Sequence, residues 1–210
     1  MTATAAAKAE MSQVARHIAR VAARLFAERG YDATSVREIV EAAGVAKPTL
    51  YYYFRSKEGL ASALLTVPLS NLVSTLRQIV TTVVEPVRCL EQVIDAQYAF
   101  CREDPDRGRF IYALLFGPLG AEVASELEPF RDSLASWTEA AVRRLAEAAI
   151  LSRPRVDAFS IACRGLIVIS TLDFLYRDRA LGGDLARQQV DDLLRGFREP
   201  EAANGPARKT

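Results

Sequence analysis

Between Gly44 and Phe54 the chain reads GVAKPTLYYYF, with Arg37 a few residues before and Lys57 a few residues after. These side chains suit binding to a partner that is anionic and presents flat apolar edges. A tyrosine ring can pack on a thymine methyl or a sugar, its hydroxyl can reach a phosphate, and lysine and arginine neutralise phosphate charge. Bond-making chemistry has no comparable basis. The single histidine, His17, lies among basic residues, where a solvated or phosphate-facing role fits better than general-base work. The sequence has no glycine-rich loop after a strand, no metal-ligand spacing and no nucleophile motif. It therefore predicts a binding protein with no catalytic residue, no metal and no cofactor.

A contact surface made of tyrosines needs a helix to hold it. Pro48 suits the first turn of a helix, where its missing N–H costs little, so the spacing predicts a helix over Lys47–Phe54. At about 100° per residue, Leu50 and Phe54 fall together and face inward, supported by Val45. Pro48, Thr49 and Tyr52 point the opposite way, with Tyr51 and Tyr53 on the flanks. A two-turn helix is unstable alone, so Leu50 and Phe54 must pack on neighbouring helices. One neighbour is a long helix over about 9–29, apolar at Val14, Ile18, Val21, Ala22, Leu25 and Phe26 and stopped by Gly30. The other is a short helix over 36–42, opened by the capping box Ser35-x-x-Glu38 and closed by Gly44. Short helix, glycine turn, short helix, with basic residues at both ends, is the geometry of a helix-turn-helix whose second helix enters the major groove.

The rest of the chain also reads as helical, with no convincing alternating strand. A long helix starts at Lys57, capped by Ser56, and bends near Pro68. Further helices are expected over roughly 87–103, 105–116, 129–151, 155–178 and 184–197, with a short piece near 121–127. The breaks are Asp104-Pro105, Gly117-Pro118, Glu128-Pro129, Arg153-Pro154 and Gly182-Gly183. The expected fold is all-α: a three-helix DNA-binding head over 9–56, a helical-bundle body over 57–198 and a tail over 199–210. At 210 residues with half of them apolar and a net charge of +1, the chain can bury such a core without help. From Lys8 to Lys57, nine basic residues face five acidic ones, so the anionic partner belongs to the N-terminal quarter. The three cysteines, Cys89, Cys101 and Cys163, are odd in number and far apart, which suits reduced, buried thiols in the cytoplasm. Residues 1–11 lack the apolar run of a secretory signal, and the leucines of 59–76 keep the spacing of a buried soluble helix rather than a membrane span.

Residues 16–60 closely resemble the DNA-binding head of the TetR/AcrR family of bacterial transcriptional regulators. The match is carried by Leu25-Phe26, Gly30-Tyr31, Thr34-Ser35-Val36, Ile39, Ala43-Gly44-Val45, Thr49-Leu50-Tyr51, Tyr53-Phe54, Ser56-Lys57 and Leu60. Two positions depart from the pattern: Val40, where alanine is usual, and Gly59, where an acidic residue is common. The resemblance implies that Thr34 and Ser35 approach phosphates and that Arg37 reaches a base or a phosphate. It also implies that Lys47, Pro48, Thr49 and Tyr52 occupy the groove, with Tyr51, Tyr53 and Lys57 on the DNA backbone.

For the body, the resemblance implies a homodimer on an inverted repeat, a small-molecule effector and a cytoplasmic location. Dimer contacts are expected from the last two helices, at Phe159, Cys163, Leu166, Ile167, Ser170, Phe174, Leu193, Leu194 and Phe197. An effector pocket is expected from the middle of the body, at Tyr98, Cys101, Tyr112, Phe116 and Trp137. Arg164 and Asp173 join that set, because charges on an otherwise apolar helix need partners. The expected mechanism is a repressor released from its operator when an apolar ligand favours another spacing of the two heads. The alternative is a DNA-organising or partner-binding protein of the same fold with a filled body.

Overall fold

The computed structural model describes residues 13–116 and 126–197, and within them the fold is helical. The head comprises α1 (Gln13–Arg29), α2 (Val36–Ala43) and α3 (Lys47–Phe54). The body comprises α4 (Lys57–Thr82), α5 (Pro86–Glu103), α6 (Pro105–Phe116), α7 (Glu128–Glu147), α8 (Val156–Tyr176) and α9 (Leu185–Phe197), with a short 3-10 turn at Arg153–Arg155 before α8. The expected starts and stops around 9–12, 117–125 and 198–210 lie outside the described residues.

Local chemistry accounts for the head. Ser35 caps α2 by accepting from the Glu38 N–H while the Glu38 carboxylate accepts from the Ser35 N–H, so both ends of the capping box are closed. Gly44 ends α2 at φ 62°, the left-handed region open to glycine, and the Val45 N–H returns to the Val40 carbonyl at 3.0 Å. That reversal sets the angle at which α3 leaves. Leu50 and Phe54 then pack beneath α3 with Ile18, Phe26 and Ile39 in the core.

Head and body share one continuous apolar core rather than two. Phe26 of α1 meets Phe110 of α6 at 4.9 Å between ring centroids, and Tyr31 packs edge-on to Phe26 at 5.2 Å. The body packs α4, α5, α7 and α8 around Leu65, Leu76, Leu90, Ile94, Val142 and Phe159. Arg144 of α7 fastens the α4–α5 turn by donating to the Val80 and Val84 carbonyls, each at 2.8 Å. Two helices, Lys57–Thr82 and Arg153–Tyr176, are long and apolar enough by composition to cross a membrane. The first buries its leucines against α5 and α7, as the core helix of a bundle does.

α4 runs through Pro68 as one helix, although the proline leaves the Leu64 carbonyl without its helical donor. One element differs from the sequence reading. α7 stops at Glu147 instead of continuing to 151. Ala149 takes a left-handed φ of 57°, the Ile150 and Leu151 N–H groups both return to the Leu145 carbonyl, and the Leu151 side chain is buried. Burial of Leu151 outweighs the helix preference of an alanine-rich stretch.

Candidate nucleic-acid interface and body cavity

On α3, Leu50 and Phe54 point into the core and the three tyrosines point out. Tyr52 is 81% exposed, the furthest out of the three. Its ring meets Tyr53 edge-on at 5.0 Å, and Lys47 at the start of the helix holds its ammonium 5.7 Å from the Tyr51 ring. The surface is thus a ridge of phenol rings with a cation at one end. Pro48 is exposed beside Lys47, and Thr49 is half-buried. Arg37 is exposed on α2 and bonds Glu41 at 2.7 Å, so its own helix holds the guanidinium.

The joint between α3 and α4 is unusually tight. Arg55 adopts φ 66° and ψ −40°, and the Ser56 N–H reaches the Phe54 carbonyl at 2.8 Å, closing a γ-turn of the strained, positive-φ kind. Ser56 then caps α4 by accepting from the Gly59 N–H at 3.0 Å. A Cβ on Gly59 would lie 2.1 Å from the Phe54 carbonyl oxygen, so this position admits only glycine unless the joint opens. The departure from the family pattern at Gly59 therefore sets how closely α4 approaches α3. Lys57, in the first turn of α4, lays its ammonium 4.2 Å from the Tyr31 ring. The Glu58 carboxyl is held below the usual carboxylate range, chiefly by its own backbone N–H and then by Ser56.

One head residue does other work than the sequence suggests. Thr34 is buried, and its hydroxyl donates to the Gly30 carbonyl at 2.8 Å and the Leu25 carbonyl at 3.3 Å. It ties the α1–α2 loop to α1 and has no side-chain proton left for a phosphate, whereas its neighbour Ser35 is exposed. His17 pairs through Nε2 with the Ala43 carbonyl at 3.1 Å, bracing α1 against the end of α2.

In the body, a cavity of about 390 Å³ opens among α4, α5, α6, α7 and α8. Of the expected pocket residues, Tyr112 and Arg164 line it. Burial holds the Tyr112 phenol well above its ordinary pKa, so the cavity wall there is neutral. The others lie elsewhere. Tyr98 is fully buried and donates to Gln189 Oε1 at 2.6 Å, and Cys101 is buried beside Gly108, with burial pushing its thiol up to about 12. Trp137 packs on the core, Phe116 is exposed against Tyr112, and Asp173 pairs with Arg177 at 3.2 Å and Arg179 at 3.7 Å. Sequence reasoning missed Leu69, Gln97, Ile111 and Thr138, which do line the cavity. An uncharged polar residue such as Gln97 on the apolar side of α5 was the one available signal.

The expected dimer residues resolve into two groups. Phe159 and Cys163 are wholly buried, Leu194 is nearly so, and Phe197 packs edge-on to Phe159 at 5.2 Å. Ile167 lines the cavity, and Ser170 accepts from Gln189 at 2.8 Å. Phe159, Cys163, Ile167 and Leu194 are thus turned into the body's own core, while Ser170 and Phe197 keep part of their surface open. Leu166, Phe174 and Leu193 are half-buried. The apolar surface that α8 leaves open is instead Ile161 (60% exposed), Gly165 and Ile169 (58%), one helical turn apart.

Residues 18–64 match the model of the family described as bacterial regulatory proteins, tetR family. Over its head the chain is similar to the TetR family. Among curated TetR-like relatives, the transcriptional activator FasR of Mycolicibacterium smegmatis is 37% identical over 91 residues, covering 43% of this chain and 42% of FasR. The transcriptional repressor KstR2 of Rhodococcus jostii is 40% identical over 78 residues, covering 37% of this chain and 38% of KstR2. The matched stretch thus spans about two fifths of the length of these relatives. Likeness to the solved structure of the TetR-family regulator PfmR from Thermus thermophilus extends over the body as well: TM-score 0.69 at 26% identity, covering 87% of this chain and 96% of PfmR.

Proposed function

We propose that this TetR-like chain is a homodimeric DNA-binding regulator that represses from an inverted-repeat operator and leaves it when a small apolar molecule enters the body. The observation that carries the reading is α3, whose apolar pair is buried while Tyr52 stands out beside Lys47. In this reading residues up to 56 form the reading head and residues 57–197 the sensing and pairing body. The role involves binding and no chemical step, and it is carried out in the cytoplasm. One head touches too few base pairs for specificity, and two heads spaced by a dimer meet successive major grooves about 34–36 Å apart. The exposed stripe Ile161–Gly165–Ile169 supports pairing through α8, since so much apolar surface on one helix face calls for a cover.

The route from effector to head runs through α6. Ile111 and Tyr112 face the cavity, while their neighbour Phe110 holds Phe26 of the head. A ligand that reshapes the cavity displaces α6, and α1 follows. It can shift the equilibrium only by as much as it prefers the released state. The cavity favours this sensor over a DNA-organising protein with a filled body. Among relatives, FasR is an activator and KstR2 a repressor, so operator position relative to the promoter sets the sign. The deciding experiment is footprinting of the purified protein on the DNA flanking its own gene, across a salt series. A protected inverted repeat, weakening with salt, is the expected result. Salt-insensitive binding, or no sequence preference anywhere in the genome, would overturn the reading.

A further inference from the structure

Gln97 of α5 lies on the inner wall of the body cavity, and its amide orientation is determined by its neighbours. Its Nε2 donates to the Val93 carbonyl at 3.1 Å and to Thr138 Oγ1 at 3.3 Å. Val93 can only accept. Thr138 must accept too, because its own proton goes to the Leu134 carbonyl at 2.9 Å. Both amide protons are therefore committed, and Oε1, the remaining polar atom of this cavity-lining side chain, has no hydrogen bond among the described residues. Around it the wall is apolar: Leu69, Ile111, Leu115, Leu134 and Ile167.

The charges are at the mouth. Arg131 is held by Glu128, which leaves Arg164 and Asp132, both exposed, opposite in sign and without an ion-pair partner among the described residues. These two charges sum to zero, so the mouth as a whole favours neither sign of ligand. With the Tyr112 phenol kept neutral, the apolar part of the wall around Gln97 carries no charge of its own.

Resting on the reading of the body as a small-molecule sensor, we infer that the effector is a neutral apolar molecule bearing a hydroxyl or N–H, and that Gln97 Oε1 receives that donor. An apolar ligand without a donor would strip water from Oε1 and return nothing. A buried acceptor left unpaired weakens binding by roughly tenfold to a hundredfold.

The test uses matched probes on the intact protein: 1-decanol against decyl methyl ether, and 4-tert-butylphenol against 4-tert-butylanisole. Dissociation constants are measured by calorimetry for wild type and for Gln97→Met, which keeps the length of the side chain and removes its polarity. The expected result is that each hydroxyl compound binds wild type about tenfold or more tighter than its ether, and that the ratio falls toward one in Q97M. A purely structural Gln97 would change both affinities together and leave the ratio alone. Equal binding of alcohol and ether by wild type, or a preference that survives in Q97M, overturns the inference while leaving the sensor reading intact. The wild-type ratio needs no variant, so a Q97M protein that fails to fold does not remove the test. Binding of none of the four probes by a protein that still gives its footprint overturns the small-molecule reading, and this inference with it.

Discussion

Tyr52 and Tyr98 are the same residue put to opposite uses. Tyr52 stands on a two-turn helix with its ring in solvent, and its hydroxyl is available to whatever the head meets. Tyr98 is fully enclosed, and its hydroxyl is spent on Gln189, which in turn donates to Ser170, so three body helices are joined through one phenol. A polar group satisfied inside the fold contributes to the fold, and one left outside is available for recognition. The same test separates Ser35 from its buried neighbour Thr34, and Ile161 from Cys163.

The largest effect expected is at the open stripe of α8. Replacing Ile161 and Ile169 together with glutamate places like charges on the helix face that the proposed homodimer would cover. The variant should run as a folded monomer by light scattering, with unchanged helical circular dichroism, and should lose its footprint. A dimer that persists would remove α8's outward face from the interface. Sequence periodicity could not choose this stripe. α8 is apolar on nearly every side, so its pattern has no phase, and only the position of α5 and α9 decides which side is left over. α3 is the contrary case: two inward residues, Leu50 and Phe54, fix the orientation of all the rest.

The two tyrosines themselves allow a crossed experiment. Tyr52→Ala should weaken operator binding tenfold or more and leave the melting temperature within a degree or so of wild type, since an exposed side chain contributes little to stability. Tyr98→Phe should do the reverse: unchanged operator affinity, and a loss of roughly 1–3 kcal/mol, because Gln189 loses its donor in the core. Tyr52→Ala melting early, or Tyr98→Phe binding DNA weakly in its folded state, would break the distinction.

A similar cross applies within the head. Thr34→Val removes a proton shared between two carbonyls and should cost about 1–2 kcal/mol with no change in the salt dependence of DNA binding. If Thr34 met a phosphate, the valine variant would instead lose affinity at full stability. The phosphate role came from the family resemblance, which implied it for Thr34 and Ser35 alike. The difference is burial, and burial depends on how the loop after Gly30 folds back over Leu25. The ends of α2 and α3 were readable for the opposite reason: Ser35, Gly44 and Pro48 act on backbone within four residues of themselves. The end of α7 depends on where Leu151 can be buried, a long-range matter.

The smallest effect divides head from body by pH. In the head, Glu38 is held below the usual carboxylate range, first by the Ser35 N–H and then by its hydroxyl, and Glu58, in the first turn of α4 next to the head, is lowered as well. A depressed carboxylate contributes stability above its unfolded pKa, and that contribution is lost as pH falls through the lower folded value. In the body, burial pushes the thiols of Cys101 and Cys163 from an ordinary value near 9 up to about 12. A raised thiol contributes fully below its unfolded pKa, and that contribution is lost as pH rises between those two values. Acid should therefore loosen the head first and alkali the body first. Hydrogen exchange measured by fragment separates them: faster exchange in α2 and α3 below the carboxylate range, and in α5 and α8 above pH 9. Glu38→Gln should flatten the acid limb for α2 without touching the alkaline limb of the body. If both regions loosened together at both extremes, the continuous core through Phe26 and Phe110 would be strong enough to make head and body a single cooperative unit, and an effector acting through α6 would have to move them as one.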